Sequence, residues 1–167
     1  SADAAIARLA DFAGAEVDRA AAAAGRLEEH EVVILGAGMS GLCMGVQLRR
    51  AGQTGFVILE KSPGLGGTWW DNRYPGAHVD VPAPLYSFSF APNPRWRRRF
   101  ASAPEIHAYM ESVARRFGVR PHMRMGHRIT EARFDEASGL WQFRTERGDT
   151  LSSRFFVCST GPLSQPR

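Results

Sequence analysis

The sequence predicts an α/β fold built on a parallel sheet, and two observations near its start support that prediction. A short apolar run, residues 32–35, leads directly into three glycines with the spacing G-x-G-x-x-G, beginning at Gly36, and then into a helical pattern. A second apolar run, residues 56–59, follows the helix and ends on Glu60. Strand, helix and strand within about 30 residues form a βαβ unit, whose two strands are parallel.

The composition is that of a globular chain about one domain long. Its 167 residues are 44% hydrophobic and 23% charged, which is enough apolar material for a core. The net charge of +4 comes from arginine, because Lys61 is the only lysine. Cys43 and Cys158 are too few for a disulfide framework, and neither they nor the histidines have metal-ligand spacing. No metal site is predicted.

Charge patterning also bears on location and partners. No run approaches the roughly 20 apolar residues of a membrane helix, and acidic residues interrupt the alanine-rich start, unlike a secretory signal. We therefore expect a cytoplasmic protein without a membrane partner. Two aromatic residues, Trp96 and Phe100, accompany the arginines at 95 and 97–99, which leaves open RNA binding, a solvated loop, or a contact to a cofactor phosphate or neighbouring domain. A solvated loop is the simplest of these, and no nucleic-acid partner is predicted.

Residues 4–27 have apolar side chains recurring at three and four residues, which predicts an amphipathic helix. We therefore divide the chain into a helical extension, residues 1–29, and a nucleotide-binding domain, residues 30–167. Much of the apolar stripe is alanine, which suits close packing. The extension is either a contact for a second copy, giving a homo-oligomer, or a marginal helix without a partner.

The chemistry of the βαβ unit follows from its residue types. Gly36 permits a tight turn, Gly38 lets the backbone approach a pyrophosphate, and Gly41 lets the helix lie close to the strand. The free N–H groups and positive end of the helix then face the phosphates. Glu60, 19 residues after Gly41, is placed to bind ribose hydroxyls. A carboxylate there favours a free ribose diol over a 2′-phosphate, so this Rossmann-like unit is predicted to bind FAD or NAD.

The segment that follows the acid favours FAD. Residues 61–86 form a long irregular stretch, and such loops inside compact domains are usually functional. Its glycines and Thr68 suit close approach to an extended cofactor, and Trp69 and Trp70 can wall an aromatic ring, although these aromatics could instead fill the core. The alternation of residues 86–90 predicts the end of a strand.

These residues together resemble the FAD-binding half of class B flavoprotein monooxygenases, and among them the Baeyer–Villiger monooxygenases. The extension and the V-D-V-P form of residues 79–82 are most similar to the 4-hydroxyacetophenone monooxygenase branch. Disulfide reductases share the fold but need a cysteine pair after the acid, which is absent here. The matching positions are residues 36–41, Glu60 and Lys61, the G-G-T-W of residues 66–69, the R-Y-P-G of residues 73–76, Asp80, and the Y-S-F of residues 86–88.

Further elements complete the domain. Residues 102–105 predict a capping box that opens a helix ending near Gly118. A parallel strand is predicted at residues 121–125, followed by three short strands at residues 129–134, 140–145 and 150–159. The resemblance implies that these three form an inserted β-meander, which returns to the sheet through a turn at residues 159–162.

The resemblance also implies roles for individual residues. Asp80 would lie near the flavin and the nicotinamide as the catalytic residue, helping to keep the oxygenating peroxide anionic. The alternative is a loop aspartate that caps backbone N–H groups before Pro82. Backbone near Ile129 would meet the adenine. The implied FAD-binding residues are Gly36, Gly38, Met39, Ser40, Gly41, Glu60, Lys61, Gly67, Thr68, Trp69, Trp70, His78, Val79, Asp80, Tyr86, Ile129, Thr160 and Gly161.

The implied activity is NADPH-dependent insertion of one oxygen atom from O2 into a ketone, giving an ester or lactone through a flavin C4a-peroxide. The family's second dinucleotide-binding unit, for NADPH, and its fingerprint do not occur in these residues. We therefore expect a section of a longer two-dinucleotide-binding-domain flavoprotein that is inactive by itself. The alternatives are a heteroatom- or N-hydroxylating flavin monooxygenase and a flavin-binding module without turnover.

Overall fold

The computed structural model describes residues 27–162. The predicted helix over residues 4–27, and the oligomer contact assigned to it, lie outside these residues except for Leu27. Two 3₁₀ helices, Ala83–Tyr86 and Arg120–His122, lie in connecting segments. The other elements are β1 (Glu28–Leu35), α1 (Met39–Arg50), β2 (Phe56–Glu60), α2 (Thr68–Asp71), α3 (Ala103–Arg116), β3 (Met123–Met125), β4 (Ile129–Asp135), β5 (Leu140–Thr145) and β6 (Thr150–Cys158).

All six strands belong to one sheet with the order β3-β2-β1-β6-β5-β4. The first four run parallel, and β5 is antiparallel to both β6 and β4. The predicted βαβ unit is confirmed, because β1 and β2 pair in parallel around α1. Since parallel strands end at the same edge, the carboxyl ends of β3, β2, β1 and β6 meet there, where α/β folds bind their ligands.

The helices cover one face of the parallel strands. Ile34 and Ile58 point from the sheet into a cluster with Leu42 of α1 and Met110 of α3, and all four side chains are fully buried. Each such side chain stabilises the fold by roughly 1.5–3 kcal/mol relative to exposure. Gly45 lets α1 approach, because a Cβ there would lie 2.8 Å from the Val119 side chain.

The strands of the meander, β4 to β6, cover the opposite face of the parallel strands. Val33 and Leu59, which alternate with the helix-facing residues, pack against Phe143 of β5 and Leu151 of β6. A bidentate ion pair between Glu28 at the start of β1 and Arg124 of β3 accompanies this contact. The hydrogen bonds from Arg124 lower the pKa of the Glu28 carboxyl. The sheet therefore folds back over itself, and the predicted meander is one of its two layers.

β6 belongs to both layers. Its first residues, 150–153, pair with β5, whereas the whole strand from Leu151 to Cys158 pairs with β1. The three predicted short strands are confirmed, but the third is the returning strand of the parallel sheet as well as the last strand of the meander. The turn predicted at residues 159–162 therefore follows the return of the chain to the parallel sheet and does not produce it.

Some predicted local features are wrong. β1 begins at Glu28, so residues 28 and 29 pair with β6 although the sequence assigns them to the helical extension. Residues 86–90 form no strand; Tyr86 ends a 3₁₀ helix, and Phe88 and Phe90 stack with ring centroids 5.0 Å apart. The alternating pattern of residues 86–90 therefore reflects packing between aromatic rings and not a strand.

Helix α3 begins where the sequence predicts, but its capping box is not formed. Ser102 makes no side-chain cap, and its backbone instead forms a bridge with His78. The Glu105 carboxylate accepts a hydrogen bond from Arg97 N at 2.9 Å. The strand predicted at residues 121–125 is shortened to Met123–Met125, because a 3₁₀ turn containing Pro121 precedes it.

Candidate functional site: the carboxyl edge of the parallel strands

The glycines of the turn after β1 are required by close backbone contacts. Gly36 has φ +103°, and a Cβ there would lie 2.6 Å from the carbonyl oxygen of Ser159. A Cβ at Gly41 would lie 1.9 Å from the carbonyl oxygen of Gly36. The turn is therefore compressed between β6 and the first turn of α1, and a side chain at either position would push it apart.

The start of α1 presents free donors. Gly38 is its N-cap without a side-chain cap, and the first helical bond runs from Leu42 N to Gly38 O at 3.0 Å. The N–H groups of Met39, Ser40 and Gly41 have no hydrogen-bond partner among residues 27–162. Unpaired donors at the positive end of a 12-residue helix suit a phosphate group.

Glu60 ends β2 with its carboxylate turned into the same turn. One oxygen accepts a hydrogen bond from Ala37 N at 2.7 Å, and the other accepts one from Ser62 N at 2.9 Å. The residue is 5% exposed. A carboxylate offers about four acceptor positions, so two remain for other donors such as a pair of hydroxyls.

The glycine loop after β2 packs onto the turn. Gly66 N donates to Ala37 O at 2.9 Å, which fixes the loop beside the turn. A Cβ at Gly67, whose φ is +54°, would approach Gly38 Cα to 3.1 Å. Two glycine backbones thus meet at the N-cap of α1. Thr68 is exposed and begins α2, and Lys61 lies half-buried at the start of the loop.

The predicted aromatic wall divides into two parts. Trp69 Nε1 donates to the Tyr86 hydroxyl at 3.0 Å, and the two rings meet edge to face. Trp70 instead packs on Gly64 and against His107 of α3, with the Arg73 guanidinium 4.1 Å from its ring centroid. Trp69 and Tyr86 therefore form one unit, and Trp70 belongs to the support beneath the glycine loop.

The segment that carries Asp80 is extended and held by backbone hydrogen bonds. Val79 N donates to Ala101 O at 3.0 Å, and the Val79 side chain is 2% exposed. His78 and Asp80, on either side of Val79, are exposed, so both project from the opposite face. The Asp80 carboxylate accepts no hydrogen bond from any residue between 27 and 162, so the capping alternative finds no support.

The remaining predicted residues lie at two places. Ser159 N donates to Leu35 O at 2.8 Å, which places the exposed Thr160 and Gly161 directly beyond the turn. Ile129 starts β4 and is half-buried against the sheet. The chain just before it is tied to β2, because His127 N donates to Glu60 O at 2.8 Å. Both places therefore adjoin the edge that holds Glu60.

Sequence reasoning missed the support of Glu60. Ser62 binds the Glu60 carboxylate through its N–H, and its hydroxyl donates to Asp71 of α2 at 2.9 Å. His107 is a second omission: its buried Nε2 has no hydrogen-bond partner among the described residues. No sequence pattern indicates either feature, because each depends on how the loop of residues 61–71 folds.

Among residues 27–162, no three His, Cys, Asp or Glu side chains are grouped so that they could hold a metal ion. No helix in this range is long and apolar enough to cross a bilayer.

Comparison with known proteins places this edge in context. The model of the NAD(P)-binding Rossmann-like domain family matches residues 34–103. A Baeyer–Villiger monooxygenase of Streptomyces coelicolor is 48% identical over 143 residues, covering 85% of this chain and 27% of that protein. One of Pseudomonas aeruginosa is 40% identical over 136 residues, covering 81% of this chain and 26% of that protein.

Solved structures agree. An oxidized steroid monooxygenase bound to NADP superposes with a TM-score of 0.78 at 43% identity, covering 83% of this chain and 27% of that one. A closed crystal structure of cyclohexanone monooxygenase gives 0.79 at 33% identity, covering 85% and 28%. The chain thus spans about a quarter of the length of these relatives. Over that quarter it is similar in sequence to these monooxygenases and has the Rossmann-like nucleotide-binding fold of that part of their structure.

Proposed function

We propose that this chain is the FAD-binding part of an NADPH-dependent flavin monooxygenase of the Baeyer–Villiger type. The observation that carries the proposal is the joint geometry of the turn: free N–H groups at the start of α1, a Gly38–Gly67 backbone contact, and Glu60 beside both. A matching solved structure, the OTEMO complex, contains FAD and NADP. It has a TM-score of 0.77 at 33% identity and covers 83% of this chain and 27% of that one.

The cofactor's parts match the groups available. The N–H groups of Met39, Ser40 and Gly41 would hold the pyrophosphate at the positive end of α1. The two unused acceptor positions of Glu60 would take the ribose hydroxyls, and the chain between β3 and Ile129 would border the adenine. The Trp69–Tyr86 pair, Thr68 and Thr160 would line the path toward the flavin ring.

In the whole protein, bound FAD would supply electron transfer from NADPH to O2 and delivery of one oxygen atom to a ketone. This chain's contribution would be binding and orientation, together with the Asp80 carboxylate. Its extended segment is fixed by Val79, and the carboxylate has no hydrogen-bond partner within residues 27–162. An unpaired, exposed carboxylate held on a fixed backbone is available to orient a cationic group and to hold negative charge near the reacting oxygen. Its neighbour His78 would border the same space.

We further propose that the protein is closest in type to the 4-hydroxyacetophenone monooxygenase branch. The support is the V-D-V-P form of residues 79–82 and the helical pattern of residues 4–27. We also propose a cytoplasmic location for the protein, with which its two free cysteines, Cys43 and Cys158, are consistent.

The test uses the full-length protein. It should retain FAD through purification, and its NADPH consumption should rise when a ketone is added, with an ester or lactone as product. Asp80→Ala should retain FAD but lose about 100-fold or more of the ester-forming rate, since positioned charged groups are worth several kcal/mol in a transition state. Glu136→Ala, which removes an exposed carboxylate from the β4–β5 turn, should leave the rate unchanged.

Each other result decides against part of the proposal. A protein without bound flavin would rule out a flavin monooxygenase. Sulfoxide or hydroxylamine products without ester would indicate the heteroatom-oxidising alternative. Unchanged ester formation by Asp80→Ala would exclude the role assigned to that residue while leaving the FAD site intact.

A further inference from the structure

The segment of residues 92–100 carries an unusual concentration of charge. Arg95, Arg97, Arg98 and Arg99 are all exposed. None of their guanidinium groups pairs with a carboxylate from residues 27–162. Their four positive charges equal the formal net charge of +4 of the whole chain. Four adjacent like charges repel one another, so an external negative partner would gain from all of them.

The backbone of this segment is fixed although it forms no helix or strand. Trp96 anchors it, because its Nε1 donates to Ser87 Oγ at 3.2 Å and its ring lies 5.3 Å from Tyr109. Arg97 N donates to the Glu105 carboxylate at 2.9 Å, and Ala83 N donates to Arg99 O at 2.7 Å. The backbone that carries the arginines is therefore fixed before any partner binds, which reduces the backbone entropy lost on binding.

The segment borders an open groove of about 740 Å³, which we call the proline–arginine groove. Prolines carry no N–H donor and offer a rigid apolar surface, so nearly all donors in the groove belong to arginine. The groove is lined by Pro82, Pro84, Pro92 and Pro94, by Asn93 and Trp96, and by the three arginines at 97–99. Its walls therefore combine an apolar floor with a cationic rim.

We propose that the proline–arginine groove binds an acidic, extended segment of a partner protein, with carboxylates on the arginine rim and apolar side chains on the prolines. Charge complementarity favours a polyanion, and the aromatic geometry favours protein over nucleic acid. A single-stranded nucleic acid needs exposed rings for stacking. Among the residues that line the groove, Trp96 alone carries an aromatic ring, and that ring is half-buried and already in contact with Ser87 and Tyr109.

The test is binding of a fluorescein-labelled 12-residue peptide of alternating glutamate and leucine, measured by anisotropy with the full-length protein. We expect Arg97→Gln/Arg98→Gln to weaken binding about tenfold, the size expected for losing two exposed ion pairs. The matched variant Arg120→Gln/Arg133→Gln loses the same charge from exposed positions outside the groove and should bind normally.

Specificity separates this proposal from general attraction between charges. The same peptide with glutamine in place of glutamate should not bind, and added salt should weaken the glutamate peptide. Equal losses in the two double variants would overturn the proposal, as would tighter binding of a single-stranded oligonucleotide than of the peptide. Flavin content, measured in every sample, reports on the FAD site independently, so a failure of either proposal is recognised separately.

Discussion

The turn at residues 36–41 and the loop at residues 72–82 supply the same proposed site but are built in opposite ways. In the turn, a Cβ at Gly41 would lie 1.9 Å from a backbone oxygen, whereas a Cβ at Gly76 in the loop would meet no atom within 4 Å. The turn is fully specified by contacts within the described chain. The loop is fixed by its backbone but leaves His78 and Asp80 open. In the proposed site, the residues assigned to the cofactor phosphates thus lie in closely packed backbone, whereas the side chains assigned to its reactive end are exposed.

Substitution of the turn glycine should have the largest effect. Gly41→Ala forces a methyl group into the Gly36 carbonyl, and neither backbone can yield without separating α1 from β1. We expect a loss of about 3 kcal/mol or more in the free energy of unfolding, together with loss of bound flavin. Urea denaturation and the flavin absorbance of the purified protein measure the two effects.

Gly76→Ala is the matched control from the loop. Its φ of +84° makes alanine unfavourable, but the surrounding space is empty, so a cost of about 1 kcal/mol with flavin retained is expected. Equal losses in the two variants would mean that the turn is not the more tightly constrained region.

Glu60→Gln tests the acid of the turn. The amide offers one oxygen where two N–H donors, from Ala37 and Ser62, now find carboxylate oxygens, so one donor loses its acceptor. Bonds to a charged group are worth roughly 1.5–3 kcal/mol, so a loss of about 2 kcal/mol in stability and a weaker affinity for FAD are expected. Denaturation and flavin titration measure these changes.

Asp71→Asn is its control, since it alters only the outer hydrogen bond from Ser62 and leaves the carboxylate of Glu60 in place. We expect it to cost under about 1 kcal/mol. A Glu60→Gln protein that matches the wild type in both stability and FAD affinity would contradict the role given to this acid.

The ion pair between Glu28 of β1 and Arg124 of β3 predicts a smaller effect that depends on pH. The pKa of Glu28 is lowered in the folded state, so its contribution is present above the ordinary value of 4.5 and is lost as the pH falls through the lower folded value. Because both partners are partly exposed, Glu28→Gln should cost only about 0.5–1 kcal/mol at pH 7. Thermal unfolding at pH 7 and pH 3.5 should show the difference shrinking at the lower pH; a constant difference would contradict it.

The smallest effect on stability is expected in the loop. Asp80→Asn removes a charge that has no partner within residues 27–162, so the free energy of unfolding should change by less than about 0.5 kcal/mol. A substantial loss in chemical denaturation would show that the carboxylate supports the fold. The contrast between the turn and the loop would then disappear.

Local sequence patterns were enough to predict the turn at residues 36–41 and most of the helices and strands. Glycine spacing and apolar runs predicted β1, α1 and β2, and turn residues separated β4, β5 and β6 at nearly their observed ends. These features depend on backbone sterics and on hydrophobic periodicity, both of which neighbouring residues express. The acid at residue 60 was identified for the same reason, by its spacing from the glycines.

Contacts between distant segments could not be predicted in this way. The strand expected at residues 86–90 does not form, because Phe88 and Phe90 pack on each other rather than on a neighbouring strand. Phe88 also contacts Tyr109, and Phe90 contacts Phe117. The capping box does not form, because the Glu105 carboxylate accepts its hydrogen bond from the backbone N–H of Arg97 instead. In both cases a tertiary contact replaced the local interaction that the pattern suggested.

The double membership of β6 also has a consequence during synthesis. β1 is among the first parts of this region to leave the ribosome, yet its partner along one side is made 123 residues later, since Leu35 pairs with Cys158. At about 5–20 residues per second, that edge stays open for roughly 6–25 seconds. β2 covers the other side early, so the nascent chain carries a half-completed sheet whose open edge is vulnerable to pairing with other chains until β6 arrives.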